Sequence, residues 1–139
     1  MKQKGFTLIE LLVVIAIIAI LAVTVFVALD PVKRFADARN SRRWADVNNI
    51  LMAIHEYIVD NNGSLPAGLT TSQASTELGT CGGCDNLSTP LAKYLKSMPL
   101  DPSTGTAANT GYSVEVDANN IVTVNADDVE QGEVVQVSS

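Results

Sequence analysis

The sequence predicts an α+β chain in which a long N-terminal helix, apolar in its first half and amphipathic in its second, packs through that second half on a small antiparallel β-sheet. Three observations predict it. Residues 8–29 are apolar except for Glu10 and Thr24. Residues 31–60 repeat apolar side chains at helical spacing. Tyr112, Val114 and Val116 alternate with Ser113, Glu115 and Asp117, the pattern of a half-buried strand.

Residues 1–5 form a short polar segment, basic through Lys2 and Lys4. Residues 6–30 follow as a stem without Gly or Pro, rich in Ile, Leu, Val and Ala. About 20 apolar residues suffice to cross the hydrocarbon core. In lipid such a segment must be helical, because only a helix satisfies its own backbone there. Asp30-Pro31 then offers a helix N-cap and a proline suited to the first helical position, so either a second helix restarts here or one long helix kinks at Pro31.

Over residues 31–62 an amphipathic helix is expected, with Val47, Ile50, Leu51, Ile54, Tyr57 and Ile58 on its apolar face. Arg42, Arg43, Asp46, Asn49 and Glu56 are placed on other faces, and Asn61-Asn62-Gly63 is a stop signal. If both segments are continuous, the helix is a rod of roughly 85 Å at about 1.5 Å per residue. Such a rod is too long for one small core and needs a membrane, other subunits or both.

Residues 63–139 make the head. Residues 63–88 are rich in Gly, Ser, Thr and Asn and read as loop. Thr89-Pro90 is read as the cap of a short helix through Lys96, ended by Pro99 and Asp101-Pro102. After the strand at Tyr112, Ala118-Asn119-Asn120 reads as a turn, Ile121–Asn125 as the returning strand, and Val134–Val137 as a third.

The net charge of −6 is unevenly spread. Lys33, Arg34, Arg39, Arg42 and Arg43 cluster just after the stem, while from Trp44 onward only Lys93 and Lys96 stand against 12 acids. An acidic head argues against a specific nucleic-acid partner. The basic neck is suited to lipid headgroups, to acidic heads of neighbouring copies, or to plain solvation.

Other chemistry is thinly represented. His55-Glu56 begins a zinc-protease pattern, but Val59 stands where its second His is needed and His55 is the only His, which excludes that site and most acid–base triads. Cys81-Gly82-Gly83-Cys84 has no second pair to complete a zinc site, and Gly-Gly opposes the helix a redox motif needs, so a small loop disulfide is expected. Asp101, Asp117, Asp127 and Asp128 supply loop oxygens without EF-hand spacing and read as solvated turn acids, with calcium in the head loops as the alternative. No cofactor is expected.

Gly5-Phe6-Thr7-Leu8-Ile9-Glu10, after a short basic leader and before an unbroken apolar run, resembles the type IV prepilin signature. The amphipathic helix and the Pro99–Pro102 region resemble small pseudopilin heads, some of which bind calcium. The resemblance implies a pilin-like fold and a structural protein that is the substrate of an enzyme. It implies cleavage between Gly5 and Phe6 by prepilin peptidase, N-methylation of Phe6, and assembly from an inner-membrane platform into a homo-oligomeric helical filament. In that filament Glu10 lies near the Phe6 amine of a neighbour, and Thr7 has a hydroxyl able to join the same cluster. The chain would be a single-span membrane protein first and an extracellular or periplasmic filament later, as a pilus subunit or as a pseudopilin of type II secretion. An acid inside the apolar run is by default a candidate functional site, the alternative being a carboxylate that snorkels to the interface near the end of the span.

Rival readings of the run are a secretory signal released near Ala28, a plain anchor, and an anchored ligand-binding domain. Secretory signals have an apolar region of about 7–15 residues and no acid within it. A count of cations places the neck on the cytoplasmic side, opposite to what the resemblance implies.

Overall fold

The computed structural model describes residues 5–139; Met1–Lys4, with the leader's two lysines, lie outside the described residues. The chain divides into two compact units, the first ending at Phe35 and the second comprising Ala36–Ser139.

Helix α1 runs Leu8–Leu29 and ends at Asp30, whose backbone is left-handed at φ 38° and ψ 72°. The Asp30 side chain then opens α2 (Pro31–Asp60): Lys33 N–H donates to its Oδ1 at 3.3 Å, and Arg34 N–H donates to its carbonyl at 3.2 Å. The two segments are therefore separate helices, and Pro31 sits at a first helical position, where no N–H is missed. Helix α2 stops as its Asn-Asn-Gly sequence dictates. Gly63 N–H returns to the Ile58 carbonyl at 2.8 Å, with Asn62 and Gly63 both at positive φ.

Four strands, β1 (Gln73–Glu77), β2 (Tyr112–Val116), β3 (Val122–Ala126) and β4 (Gln136–Ser138), form one antiparallel sheet in sequence order. Alternation places Tyr112, Val114 and Val116 of β2 and Val122, Val124 and Ala126 of β3 in the core. There they meet Val47, Ile50, Leu51 and Ile54 of α2. The β2–β3 turn is fixed by the Asp117 carboxylate, which accepts from Asn119 N–H at 2.7 Å and Ile121 N–H at 2.8 Å.

Two local expectations fail. Strand β1 lies where only loop was expected, because Gln-Ala-Ser-Thr-Glu has no apolar alternation; its place comes from pairing with β2 across an irregular register. Residues 89–96 form successive turns rather than a helix. Leu91 N–H bonds the Leu87 carbonyl and Leu95 N–H the Leu91 carbonyl, and the buried Leu87 and Leu91 hold this segment to the core.

The larger correction concerns the neck. Ala36, Asn40 and Arg43 continue the helical spacing of Val47, Ile50 and Ile54 and are buried with them. Arg43 has no exposed surface. Its Nε and Nη2 donate to the two Asp101 carboxylate oxygens at 2.5 and 3.1 Å. Its Nη1 donates to Asn40 Oδ1 at 2.7 Å and Glu130 Oε2 at 3.0 Å, and Nη2 also donates to Ser103 Oγ at 2.9 Å. Arg39 grips the same Glu130 in a two-pronged pair at 2.5 and 2.6 Å. Arg42 pairs with Asp46 one turn on at 3.5 Å, and Asp46 accepts from the buried Tyr112 hydroxyl at 2.9 Å. Arg39 and Arg43 thus bind their own head instead of facing lipid or a neighbour.

Truncating one partner of a buried, fully bonded ion pair leaves the other charge uncompensated. Arg43→Ala is expected to destabilise the second unit by about 3–5 kcal/mol, against at most about 1 kcal/mol for the exposed Arg42→Ala. Urea unfolding of the full chain in detergent, followed by circular dichroism, checks the difference.

The carboxylates of this network also set the acid limit. Burial opposes the charge on Asp101, but Arg43 and the donors of Ser103 and Thr104 outweigh it and hold the carboxyl well below its usual range. Arg39 and then Arg43 pull Glu130 down to about 2. Both bind protons more weakly folded than unfolded, so their stabilisation is complete above the ordinary carboxylate values near pH ~4 and is lost as pH falls through the folded ones. Burial raises Glu77 and Asp85, which makes the opposite contribution just above that window. The melting temperature should stay level or rise slightly from neutral pH to about 5, then fall steadily below about 4; thermal scans over that range test it.

Candidate functional site

The residues that the sequence singles out meet at the start of α1. Thr7 is extended, at φ −84° and ψ 153°, and caps the helix. Its hydroxyl oxygen accepts from Glu10 N–H at 3.3 Å. Glu10 Oε2 in turn accepts from Thr7 N–H at 2.8 Å and from the Thr7 hydroxyl at 2.7 Å. This reciprocal capping box satisfies two backbone donors that the first turn would otherwise leave open. It also lays a carboxylate against the positive end of the helix dipole. Thr7 and Glu10 therefore hold each other at the start of the helix. Glu10 Oε1 receives no hydrogen bond among the described residues.

Around this polar tip the surface is apolar and bare. No residue of α1 is buried, and Phe6 and Leu8 are each 83% exposed. A window of the helix reaches a mean hydropathy of 3.3, and the helix is long and apolar enough to cross a membrane. Thr24, the other polar residue in the run, donates its hydroxyl to the Leu21 carbonyl at 2.8 Å and so leaves no unsatisfied proton on the apolar surface. At the far end, Arg34 Nε donates to the Leu29 carbonyl at 2.9 Å, placing a cation on the helix C-terminus.

Gly5 stands immediately before Phe6. A side chain added there would meet nothing within 4 Å. Among the described residues, nothing requires glycine at that position.

The remaining candidates lie in the head. Cys81 and Cys84 form a disulfide, with Cα atoms 5.1 Å apart, in the loop that follows β1. The loop is stitched to residues 107–108 by Thr80 N–H and Cys81 N–H, each 3.1 Å from its carbonyl. Gly79 permits that approach, since a Cβ there would lie 2.1 Å from the Ala108 carbonyl oxygen. The four aspartates weighed as cation ligands each have protein partners, and Asp101 and Asp128 share the Thr104 hydroxyl. Asp101 is bonded to Arg43, Asp117 closes its turn, Asp127 accepts from Ser113 and Asp128 from Thr104. Among the described residues, no three His, Cys, Asp or Glu side chains gather as a metal set.

Residues 1–26 match the prokaryotic N-terminal methylation motif. That motif is characteristic of type IV pilins and pseudopilins, which are structural rather than enzymatic proteins, and it implies processing by prepilin peptidase. The α+β fold, with α2 packed on a four-stranded antiparallel sheet, is pilin-like. No curated protein and no solved structure matches the chain.

The disulfide closes a very short loop, so its removal should act locally. Cys81→Ser is expected to lower stability by about 1–2 kcal/mol and to speed amide exchange at Thr80 and Cys81, leaving the strands protected. Hydrogen exchange read by mass spectrometry checks this.

Proposed function

We propose that the chain is a structural subunit of a type IV pilus or pilus-like filament, cut between Gly5 and Phe6, N-methylated on Phe6 and assembled through its apolar stem. The observation that carries the reading is a wholly exposed apolar helix with a carboxylate fixed in its first turn. Lipid covers that surface in the single-span precursor. Outside the bilayer only the stems of other copies offer it equivalent contact.

Hydrolysis of the Gly5–Phe6 bond creates an α-amine on Phe6, and methylation leaves its positive charge in place. Glu10 stands three residues into α1, with Oε2 held by Thr7 and Oε1 open to a cation from outside. A neighbour's Phe6 amine meets that need, and each charge then relieves the other's desolvation. The freedom of space around Gly5 supports the same reading, because the peptidase rather than the fold then accounts for glycine there. Arg39 and Arg43 are bonded into the head and lie on whichever side the head lies.

The mature chain should begin at N-methylated Phe6 by mass spectrometry. Glu10→Ala should leave the melting of the head unchanged while removing filaments from electron micrographs, since a buried amine without its partner costs about 3–5 kcal/mol at every contact. Normal filaments from Glu10→Ala, or assembled subunits that retain Met1, would overturn the proposal.

A further inference from the structure

The second unit contains two Asn-x-Ser sequences, Asn62-Gly63-Ser64 and Asn86-Leu87-Ser88. This pattern is the acceptor for N-linked glycans on chains exported across a membrane. The two sites are chemically alike and structurally unlike, and the difference selects one.

Asn86 is tied down. Its Oδ1 accepts from both Ser88 N–H and the Ser88 hydroxyl, at 3.1 and 2.5 Å. Leu87, the middle residue, is completely buried. The preceding Asp85 donates its N–H to the Glu77 carbonyl and accepts from Gly79 N–H. A transferase has to draw the acceptor into an extended strand within its own cleft. At Asn86 that would pull Leu87 from the core and open the disulfide loop.

Asn62 is free of these ties. Asn62, Gly63 and Ser64 are all exposed, and a Cβ at Gly63 would meet nothing within 4 Å. The Asn62 amide side chain has no hydrogen-bond partner among the described residues. The turn that holds it rests on local bonds, from Gly63 N–H to Ile58 and from Ser64 N–H to Asn61, which open when the last turn of α2 frays. Two residues earlier stands Asp60, a carboxylate in an exposed and exchangeable pair with Lys93, which offers a transferase a charged handle. The corresponding position before Asn86 is Cys84, locked in the disulfide.

We propose that Asn62 is an N-glycosylation site of the folded head and that Asn86 is not. The donor is an oligosaccharide linked to a polyprenyl diphosphate. The Asn62 Nδ2 forms a bond to the anomeric carbon, the carbon–oxygen bond to the diphosphate breaks, the lipid diphosphate leaves with the electron pair, and one amide proton is lost. The Ser64 hydroxyl is read by the transferase and stays unmodified. The inference rests on the outward orientation of the head proposed above and extends it.

The test is peptide mapping of the full chain isolated from its own host. The peptide containing Asn62 should carry a glycan mass and the one containing Asn86 should not. Asn62→Gln and Ser64→Ala, which leaves the acceptor in place, should each abolish the increment. A bare Asn62, a glycan on Asn86, or an increment that survives Ser64→Ala would overturn the proposal. The N-terminal peptide of the same digest separates the two readings: N-methylated Phe6 with a bare Asn62 defeats the glycan site alone, whereas an intact Met1 with a bare Asn62 defeats both.

Discussion

The second unit is organised around a single guanidinium. Arg43 lies wholly out of solvent, and each of its five N–H groups has an acceptor: two on Asp101 and one each on Asn40, Glu130 and Ser103. An ion without water is destabilising unless its partners replace the whole hydration shell, and here they do. The result is geometric as much as energetic. Asp101 and Ser103 come from the segment before β2, and Glu130 from the segment before β4, so one side chain of α2 ties both segments to the helix. Asn40 reinforces the second segment by exchanging hydrogen bonds with the Glu130 backbone, donating at 2.9 Å and accepting at 3.2 Å.

The first unit follows the opposite logic. Its helix has no core of its own and no buried residue. In the proposed reading its solvent is supplied from outside, first by lipid and then by copies of itself. A lone carboxylate on such a surface would be an expensive intrusion. The capping box reduces that penalty by giving Glu10 two donors from Thr7 while keeping one oxygen available. The acid is thus tolerated in the separate chain and remains able to take a cationic partner. The two units place charge differently: the head saturates its charge internally, and the stem leaves its charge half satisfied.

Most of this was legible wherever one period dominated the sequence. The apolar run, the Val47–Ile54 stripe, the β2 alternation and the Asn-Asn-Gly stop each depend on local chemistry and appear where they were read. Glu10 was legible because an acid in an apolar run stands out. Strand β1 was not, since a polar edge strand takes its conformation from a partner far along the chain. The turns at residues 89–96 show the same override, with Leu87 and Leu91 placed by the core rather than by helix propensity. The role of Arg43 was hidden by its type, since arginine is read as surface. Its spacing carried the signal: Ala36, Asn40 and Arg43 fall in phase with Val47, Ile50 and Ile54, so the buried stripe continued past the point where its residues ceased to be apolar.

The separation of Arg43 from its partners imposes an order in time. Asp101 lies 58 residues further along the chain and Glu130 lies 87. During synthesis the neck therefore emerges long before Asp101 and Glu130, the acids that hold Arg43. The nascent neck carries Arg39 and Arg43 without those partners, whereas the folded chain closes both within its own head. A charge count made on the nascent chain and one made on the folded chain describe different objects. The loop that carries Glu130 completes the shell of Arg43, so that shell closes only when nearly the whole chain has been made.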